Sequence, residues 1–256
     1  MPGERAVLLL GGHESPAGSG GLDACGLHAA LQDHARAVTV PMTLGRDPGP
    51  AAVAAQTLSW AARARAPGDL LLARPLGTTE HLVGWIRSAV GQASRGGSSR
   101  QAMLLVAPAA GPGPDAELFR VARLVWQYKQ VRWVEVALMG GEPDVDEGLE
   151  RCRRLGADDF VLVPASFVPA PVRAGARTAG PLLGRAALTT LIHERVAEAE
   201  RRWARHGDDG LPAVAPGHHH DHDDHHQGFR AAANLKGGDI TCRMTTSTST
   251  ARDRSS

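Results

Sequence analysis

The chain has few cysteines and almost no excess charge. Its 256 residues include three cysteines, Cys25, Cys152 and Cys242, which share no CxxC spacing. A disulfide framework or a structural zinc site is therefore not expected, and a reducing compartment is the natural setting. The formal net charge is +1, from 28 basic and 27 acidic side chains. This balance gives no electrostatic reason to expect nucleic acid or an anionic membrane as a partner.

Long hydrophobic runs are also missing. No apolar segment is long enough to span a membrane, and a strand-like run begins at Ala6 with no signal-type segment before it. We therefore expect a soluble, cytoplasmic protein. Its length suits one or two domains and is sufficient to bury a substantial core, in which Cys25 and Cys152 are expected as small apolar residues.

Short, continuously apolar runs alternate with longer helical segments. This alternation predicts an α/β fold in which helices cover both faces of parallel sheets. The predicted strands are Ala6–Leu10, Val38–Val40, Leu70–Ala73, Met103–Val106, Trp133–Leu138 and Phe160–Val163. The predicted helices are Leu22–Arg36, Ala51–Ala66, Glu80–Ala93, Asp115–Gln130, Val145–Leu155 and Leu188–Arg205.

Two segments of the chain recur after about a hundred residues. AVLLLGGHES from Ala6 is echoed by AMLLVAPAAG from Ala102, and LLLARPLG from Leu70 is echoed by RTAGPLLG from Arg177. Such a period is too long for a solenoid and suits two similar α/β halves. The linker-like sequence SRGGSS at 94–99 divides them. We predict an N-terminal half at 1–98, a C-terminal half at 99–206 and a His-rich, disordered tail at 207–256.

His13 is the first candidate for chemistry, because it follows the first predicted strand directly. Ligands bind at the carboxyl ends of parallel strands in open α/β sheets. An imidazole at such a position can coordinate a divalent metal or accept a proton near neutral pH. A polar loop residue without a function is the alternative. The nearby glycines lack the Gly-Lys-Ser/Thr of a phosphate-binding loop, so nucleotide binding has little support.

Two further sets of residues lie near predicted strand ends. Arg74 and His81 flank the first of two Pro-Leu-Gly-type turns, and we expect them to line one cleft with His13, although a purely structural turn is the alternative. Glu142 follows the fifth predicted strand and is the best candidate for a ligand-facing carboxylate. The neighbouring acids Asp144, Asp146 and Glu147 fit helix capping instead.

The segment GHHHDHDDHH at 217–226 holds half of the chain's histidines. Clustered imidazoles and carboxylates bind first-row divalent metals. Without a fixed geometry they favour storage or delivery of metal over catalysis. The predicted metal ligands of this segment are His218, His219, His220, His222, His225 and His226.

Several blocks resemble one known family. LLLGGHES resembles the start of the class II tetrapyrrole metal chelatases, and RPLG before a helix is similar to the segment that closes each of their halves. The second half, in the blocks MLLVAPAAGPGPDAELFRVARLVW, VRWVEVALMGGEPDVDEGLERCRRLGADDFVLVPASFV and PLLGRAALTTLIHERVAEA, is similar to two-half sirohydrochlorin cobaltochelatases. The resemblance covers most of residues 6–205, and some of those proteins also end in a His-rich tract.

The resemblance implies two flavodoxin- or Rossmann-like subdomains facing each other across a cleft that holds a flat macrocycle. It also implies ATP-independent insertion of Co2+ or Fe2+, as substrate metal, into sirohydrochlorin, without an organic cofactor. His13 matches the first family histidine as metal ligand and base, Glu142 lies close to a family acidic position, and His81 is the candidate second histidine. Arg46, Arg74 and Arg173 are predicted to pair with tetrapyrrole carboxylates. A monomer or homodimer is expected.

The chain departs from the family pattern where a second histidine is expected, since its Pro41–Asp47 segment contains none, and Ala109 stands where the repeat would place a partner of His13. Three functions therefore stay open. The first is a sirohydrochlorin chelatase. The second is a catalytically degenerate relative that binds metal or tetrapyrrole as a metallochaperone or accessory protein. The third is an unrelated α/β transferase whose His13 loop holds an anionic substrate.

Overall fold

Three parallel strands form the first sheet. In the computed structural model, which describes residues 4–15, 21–128 and 131–212, these strands are β1 (Ala6–Leu10), β2 (Ala37–Pro41) and β3 (Leu70–Leu72). Their order is β1-β2-β3, with Ala6 beside Ala37 and Ala37 beside Leu70. All five residues of β2 are buried, as expected for a central strand covered on both faces.

The second sheet is also parallel and has one strand more. It contains β4 (Gln101–Pro108), β5 (Trp133–Met139), β6 (Asp159–Pro164) and β7 (Arg177–Thr178), in the order β5-β4-β6-β7. The strand β4 lies between β5 and β6 and is buried over residues 101–107. Both sheets therefore have the doubly covered, parallel character predicted from the apolar runs.

Six helices cover the two sheets. They are α1 (Ala24–Asp33), α2 (Gly49–Ala62), α3 (Thr79–Ala93), α4 (Pro112–Tyr128), α5 (Val145–Arg154) and α6 (Arg185–His206). Asp23, Thr78 and Asp144 are the N-caps of α1, α3 and α5, and each accepts a hydrogen bond from a backbone N–H in the first turn. The helix α6 ends at Gly207, whose φ of 64° is left-handed.

The last helix of each half packs on the sheet of the other half. Leu82, Ile86 and Val90 of α3 lie in one cluster with Met103 and Val161 of the second sheet. Conversely, Leu188, Ile192, Val196 and Trp203 of α6 pack against a cluster that includes Val38, Val40 and Leu71 of the first sheet. The opposite faces are covered from within each half, by α1 and α2 on the first sheet and by α5 on the second, while α4 shares the face that α3 covers. The two halves are thus joined through their cores.

The strand orders identify which elements of the two halves correspond. The sequence echoes pair β1 with β4 and β3 with β7, and the position between them pairs β2 with β6. On this correspondence the described residues of the first half include no counterpart of α4 and β5, since α1 is the helix they place between β1 and β2. The second half has no counterpart of α2, because no helix lies between β6 and β7. The two halves are similar, but each lacks a secondary-structure element that the other has.

The prediction of an α/β fold with two parallel sheets is confirmed, and all six predicted strands and six predicted helices are present within a few residues of their expected bounds. The strand β7 was not predicted. Cys152 is buried, and burial raises the pKa of its thiol to about 12. The expected burial of Cys25 is wrong, because this residue lies on an exposed part of the first turn of α1.

The described part of the chain ends beyond the predicted boundary at residue 206. Asp209 accepts a hydrogen bond from Leu72 N at 2.8 Å, and Leu211 packs against the cluster formed by β1, α1 and α2. Residues 207–212 thus lie along β3, at the edge of the first sheet. The rest of the predicted tail, 213–256, lies outside the described residues. Within the described residues no helix is long and apolar enough to cross a membrane.

Candidate functional site

A cavity of about 650 Å³ lies at the carboxyl end of β1, between the two halves of the chain. One wall is formed by the loop after β1 and by the first turns of α1 and α2. The other wall comes from the second half, through Pro108, Met139 and Val168. The ionisable residues that line it are His13, Asp23 and Asp47. Its volume is in the usual range for a small-molecule site.

The loop Gly11–Ser15 presents His13 to this cavity. A Cβ atom on Gly11 would lie 2.6 Å from Ser15 O, and one on Gly12 would lie 2.5 Å from Pro50 Cγ, so both positions require glycine. His13 N donates to Asp47 Oδ2 at 3.1 Å, which anchors the backbone while the imidazole stays exposed. Ser15 Oγ accepts from Gly12 N and donates to Met42 O, and these bonds close the turn. The pattern Gly-Gly-His therefore fixes an accessible imidazole on a tightly packed backbone.

Glu14 points the other way, into the interior. Its side chain is fully buried, and its Oε2 accepts from Thr43 Oγ1 at 2.5 Å, Leu44 N at 2.8 Å and Asp47 N at 3.4 Å. Burial raises the pKa of this carboxyl above its ordinary value, and the hydrogen bonds from Thr43 and Leu44, together with the Arg46 charge, oppose the rise. Glu14 O also accepts from Phe167 N of the second half at 2.9 Å.

Arg46 connects the loop after β2 to the second half. Its side chain has no exposed surface, and it donates to Asp115 Oδ1 at 3.1 Å and to Pro108 O at 2.8 Å. Its Nε lies 4.0 Å from Glu14 Oε1. The predicted pairing of Arg46 with a tetrapyrrole carboxylate has no support in this placement, since the guanidinium is enclosed by protein. Sequence alone predicted a free cation because its partner, Asp115, is 69 residues away.

The structure does not bring His81, Glu142 or Arg74 to the cavity. His81 lies in the first turn of α3, where its Nδ1 accepts from Thr78 N at 3.2 Å and its ring stacks on Trp85. Glu142 is exposed beyond the end of β5. Arg74 is 69% exposed and pairs with Glu198 at 3.2 Å. The expectation that Arg74 and His81 share a cleft with His13 is thus not met among the residues that line this cavity. Their chemical roles stay predictions.

The remaining predicted ligands do not add to the site either. Arg173 pairs with Asp146 of α5 at 2.8 Å. The histidines predicted to bind metal at 218–226 lie outside the described residues. In residues 4–15, 21–128 and 131–212, no group of three or more His, Cys, Asp or Glu side chains is arranged to hold a metal ion. Within this part of the chain, His13 is the predicted ligand that faces the cavity.

Two acidic residues of the cavity were missed at the sequence level. Asp23 is the N-cap of α1 and accepts from Gly26 N at 2.7 Å. Asp47 accepts from Gly49 N at 2.9 Å and from His13 N. A signal for Asp47 was available, because an acidic residue directly before Pro48, Gly49 and Pro50 is typical of a helix start. The sequence does not reveal that this helix start faces the loop of His13.

Comparisons with known proteins agree on one family. The model of the CbiX family matches residues 111–171. A sirohydrochlorin cobaltochelatase of Priestia megaterium is 29% identical over 101 residues, which are 38% of this chain. The chain spans about a third of the length of that relative, 33%. The matched part of the family model lies in the second half, on α4, β5, α5 and β6.

Two solved structures were found to be similar, and the match to the first of them extends the likeness in fold over most of the described chain. SirB from Bacillus subtilis with Fe3+ has a TM-score of 0.50 at 12% identity, and the match covers 80% of this chain and all of that one, 100%. The sirohydrochlorin chelatase SirB from Bacillus subtilis subspecies spizizenii in complex with cobalt has a TM-score of 0.46 at 13% identity and covers 78% of this chain and 97% of that one. The family match, the relative and the shared fold together support a class II chelatase-like protein.

Proposed function

We propose that the protein inserts a divalent metal ion, Co2+ or Fe2+, into sirohydrochlorin without ATP. The observation that carries the proposal is the exposed imidazole of His13 on a rigid loop, in a cavity whose walls come from both halves. The family match in the second half and the relative named a sirohydrochlorin cobaltochelatase support the choice of reaction. The wall residues Pro108, Met139 and Val168 offer an apolar surface to one face of a flat ring.

The reaction places two demands on the site. The macrocycle must release two pyrrole N–H protons, and the metal ion must exchange water ligands for ring nitrogens. An imidazole near one ring face serves both needs in turn, since its free nitrogen can hold the incoming ion and, once the ion has passed to the ring nitrogens, accept a pyrrole proton. The carboxylates of Asp23 and Asp47 line the same cavity and favour the approach of a divalent cation. In this proposal His13 is the metal ligand and accepts one pyrrole proton, the second proton passes to water, and the four ring nitrogens bind the metal ion in the product.

The test is metal insertion under anaerobic conditions, followed by the change in absorbance of sirohydrochlorin with Co2+ and, separately, with Fe2+. The full chain and a chain ending at Pro212 are compared, so that metal held by the histidines at 218–226 is separated from insertion. We expect both to insert metal faster than the spontaneous reaction. His13→Ala should lower the rate constant by about 10²- to 10⁴-fold, the usual contribution of a general base.

His193→Ala is the matched control, because His193 is exposed on α6 and does not line the cavity. Its rate should equal that of the unchanged chain. Insertion at the spontaneous rate by the full chain, with Co2+ still bound, would overturn the proposal in favour of a relative that binds metal without inserting it. Equal rates for His13→Ala and His193→Ala would remove His13 from the mechanism.

A further inference from the structure

We infer that Glu14 is a positioning residue for His13, and that Arg46 extends this positioning to the opposite wall of the cavity by joining Glu14 to Asp115. This inference rests on the proposed function for its kinetic consequence, but its structural part can be tested without activity. It adds to the site a buried ionic connection that no sequence pattern indicated.

The first step is the contact between Glu14 and the segment Thr43–Asp47. Glu14 Oε2 accepts hydrogen bonds from the hydroxyl of Thr43 and from the backbone of Leu44 and Asp47. These three donors belong to the one segment that also supplies the Asp47 carboxylate. The Glu14 carboxylate therefore fixes the whole segment rather than a single atom of it.

The second step leads from that segment back to His13. Asp47 Oδ2 accepts from His13 N at 3.1 Å, while Asp47 Oδ1 is held by Gly49 N at 2.9 Å. Glu14 is thus bonded to the same segment that holds the backbone of its neighbour His13. Because Gly12 is packed against Pro50 and Asp47 without space for a Cβ atom, the loop has little room to move independently of that segment. A shift of the Glu14 carboxylate would move Asp47, and with it the imidazole.

The third step crosses to the other half. Arg46 lies between Glu14, at 4.0 Å, and Asp115, at 3.1 Å, and it also donates to Pro108 O. Asp115 in turn accepts from Ala110 N at 2.9 Å and from Gly111 N at 3.1 Å. These bonds hold the loop that follows β4, and Pro108, the last residue of β4, lines the cavity. The two walls are therefore joined through three charged side chains, of which Glu14 and Arg46 are fully buried and Asp115 is partly exposed.

Two polar atoms of the connection between Glu14, Arg46 and Asp115 make no hydrogen bond. Glu14 Oε1 and Arg46 Nε are both buried without a hydrogen-bond partner. Buried ion pairs usually add little stability compared with apolar residues of the same volume, because desolvation offsets their attraction. Stability alone thus gives a weak reason to enclose these two charges. Precise placement of the surrounding loops gives a stronger one, since small displacements of a reacting group are costly in rate.

The deciding variant is the double substitution Glu14→Gln with Arg46→Met, made in the full chain. It removes both charges together, so it should keep the melting temperature within a few degrees. For a positioning role, the rate constant of insertion at saturating sirohydrochlorin should fall about 10- to 100-fold, while KM for sirohydrochlorin stays within about threefold. Arg100→Met is the control, because Arg100 pairs with Asp158 at an exposed site at the amino end of β4; it should change neither quantity.

A double variant with unchanged melting temperature and unchanged rate would overturn the inference. Should that variant fail to fold, Asp115→Asn replaces it, since Asp115 is partly exposed and the amide oxygen keeps an acceptor for Ala110 N while the negative charge facing Arg46 is removed. The same loss of rate without a change in KM is then expected, and an unchanged rate would count equally against the inference.

Hydrogen exchange of the unchanged chain supplies the readout that does not depend on activity. The amide protons of His13, Leu44 and Asp47 should exchange slowly, and the Asp115→Asn variant should speed their exchange while leaving the core of β4 protected. Fast exchange of the His13 amide proton in the protein without substitutions would refute the positioning of His13 by Glu14 and Arg46. A protein that inserts no metal but shows this exchange pattern would refute the proposed function and leave the inference intact.

Discussion

The ends of β1 and β4 occupy corresponding positions in the two halves, yet they carry different chemistry. Beyond β1 stand His13 and Glu14, one exposed in the cavity and one buried beneath it. Beyond β4 stand Ala109 and Ala110, and Ala110 N is bonded to Asp115. The comparison shows that the ionisable residues of the cavity are concentrated in the first half, whereas the second half supplies an apolar wall and its anchoring carboxylate.

The same comparison explains why each half can lack a different element. In the part of the chain that the structure describes, the first sheet has no strand corresponding to β5, and at that edge Leu22 pairs with Leu10. The second half has no helix corresponding to α2, and the 165–176 segment connects β6 to β7 directly. On the first sheet α6 of the other half covers the face that lacks a counterpart of α4. On the second sheet Ala170 and Ala176 pack on the face that lacks a counterpart of α2, while α3 of the other half covers the opposite face. The exchanged helices are therefore the feature that the following predictions test first.

Removal of α6 should have the largest effect. A chain ending at Gly184 leaves Val38, Val40 and Leu71 without their cover from the far end of the sequence. We expect it to lose cooperative thermal unfolding, followed by circular dichroism. A chain ending at Pro212 keeps α6 and serves as control, with a melting temperature close to that of the full chain. Cooperative unfolding of the shorter chain at an unchanged temperature would contradict the exchange of helices.

Ile86→Ala tests the reciprocal contact. Ile86 belongs to the first half but is buried with Met103 and Val161 of the second sheet, so the lost contacts and the resulting cavity should cost about 2–5 kcal/mol of unfolding free energy in urea. Leu58→Ala is the matched variant, since Leu58 of α2 packs on the first sheet. Hydrogen exchange should then rise first in β4 for Ile86→Ala and first in β2 for Leu58→Ala. The opposite assignment would show that each half is covered by its own helices.

Gly45 and Gly111 offer a smaller and more local comparison. Both have a strongly positive φ, 100° and 99°, so an alanine at either position is strained by about 1–2 kcal/mol. At Gly111 a Cβ atom meets nothing within 4 Å, whereas at Gly45 it would lie 2.3 Å from the backbone of Thr78 and Thr79. Gly45→Ala should therefore cost clearly more unfolding free energy than Gly111→Ala. Equal costs would mean that the start of α3 can move away from the 43–47 segment.

Gly84→Ala should have the smallest effect, and a favourable one. Gly84 lies on the exposed side of α3, and a Cβ atom there meets no other atom within 4 Å. Alanine in a helix interior gains about 0.5–1 kcal/mol relative to glycine, mainly because the unfolded chain loses freedom. A rise in the urea midpoint with an unchanged slope would confirm this. A loss of stability would indicate that this side of α3 is not open as the structure has it.

The sequence predicted the elements well because their signals are local. Apolar runs at β1, β4 and β6 and the apolar spacing of Leu82, Ile86 and Val90 depend only on neighbouring residues. The exchange of α3 and α6 was not predictable in this way, because an apolar helix face carries no indication of which sheet it covers. The strand β7 was missed for a related reason, since Arg177 and Thr178 are exposed and polar.

The site was predicted in part. His13 followed from its place at a strand end, which is a local rule. Arg46 was expected to meet a ligand, and its enclosure by Glu14, Pro108 and Asp115 depends on contacts between residues 14, 46, 108 and 115. Such long-range contacts leave no trace in residue spacing. The same holds for Asp47, whose pattern indicated a helix start and not its bond to His13.

The exchange of α6 also sets an order of events during synthesis. The ribosome releases β1, β2 and β3 more than a hundred residues before α6, which, together with Phe167 of the second half, covers the face formed by Val38, Val40 and Leu71. That face stays uncovered while the whole second half is made. Contacts so distant in sequence form late and slowly. The nascent first half therefore depends on the C-terminal helix, or on a chaperone in the interval, to keep its apolar surface from aggregation.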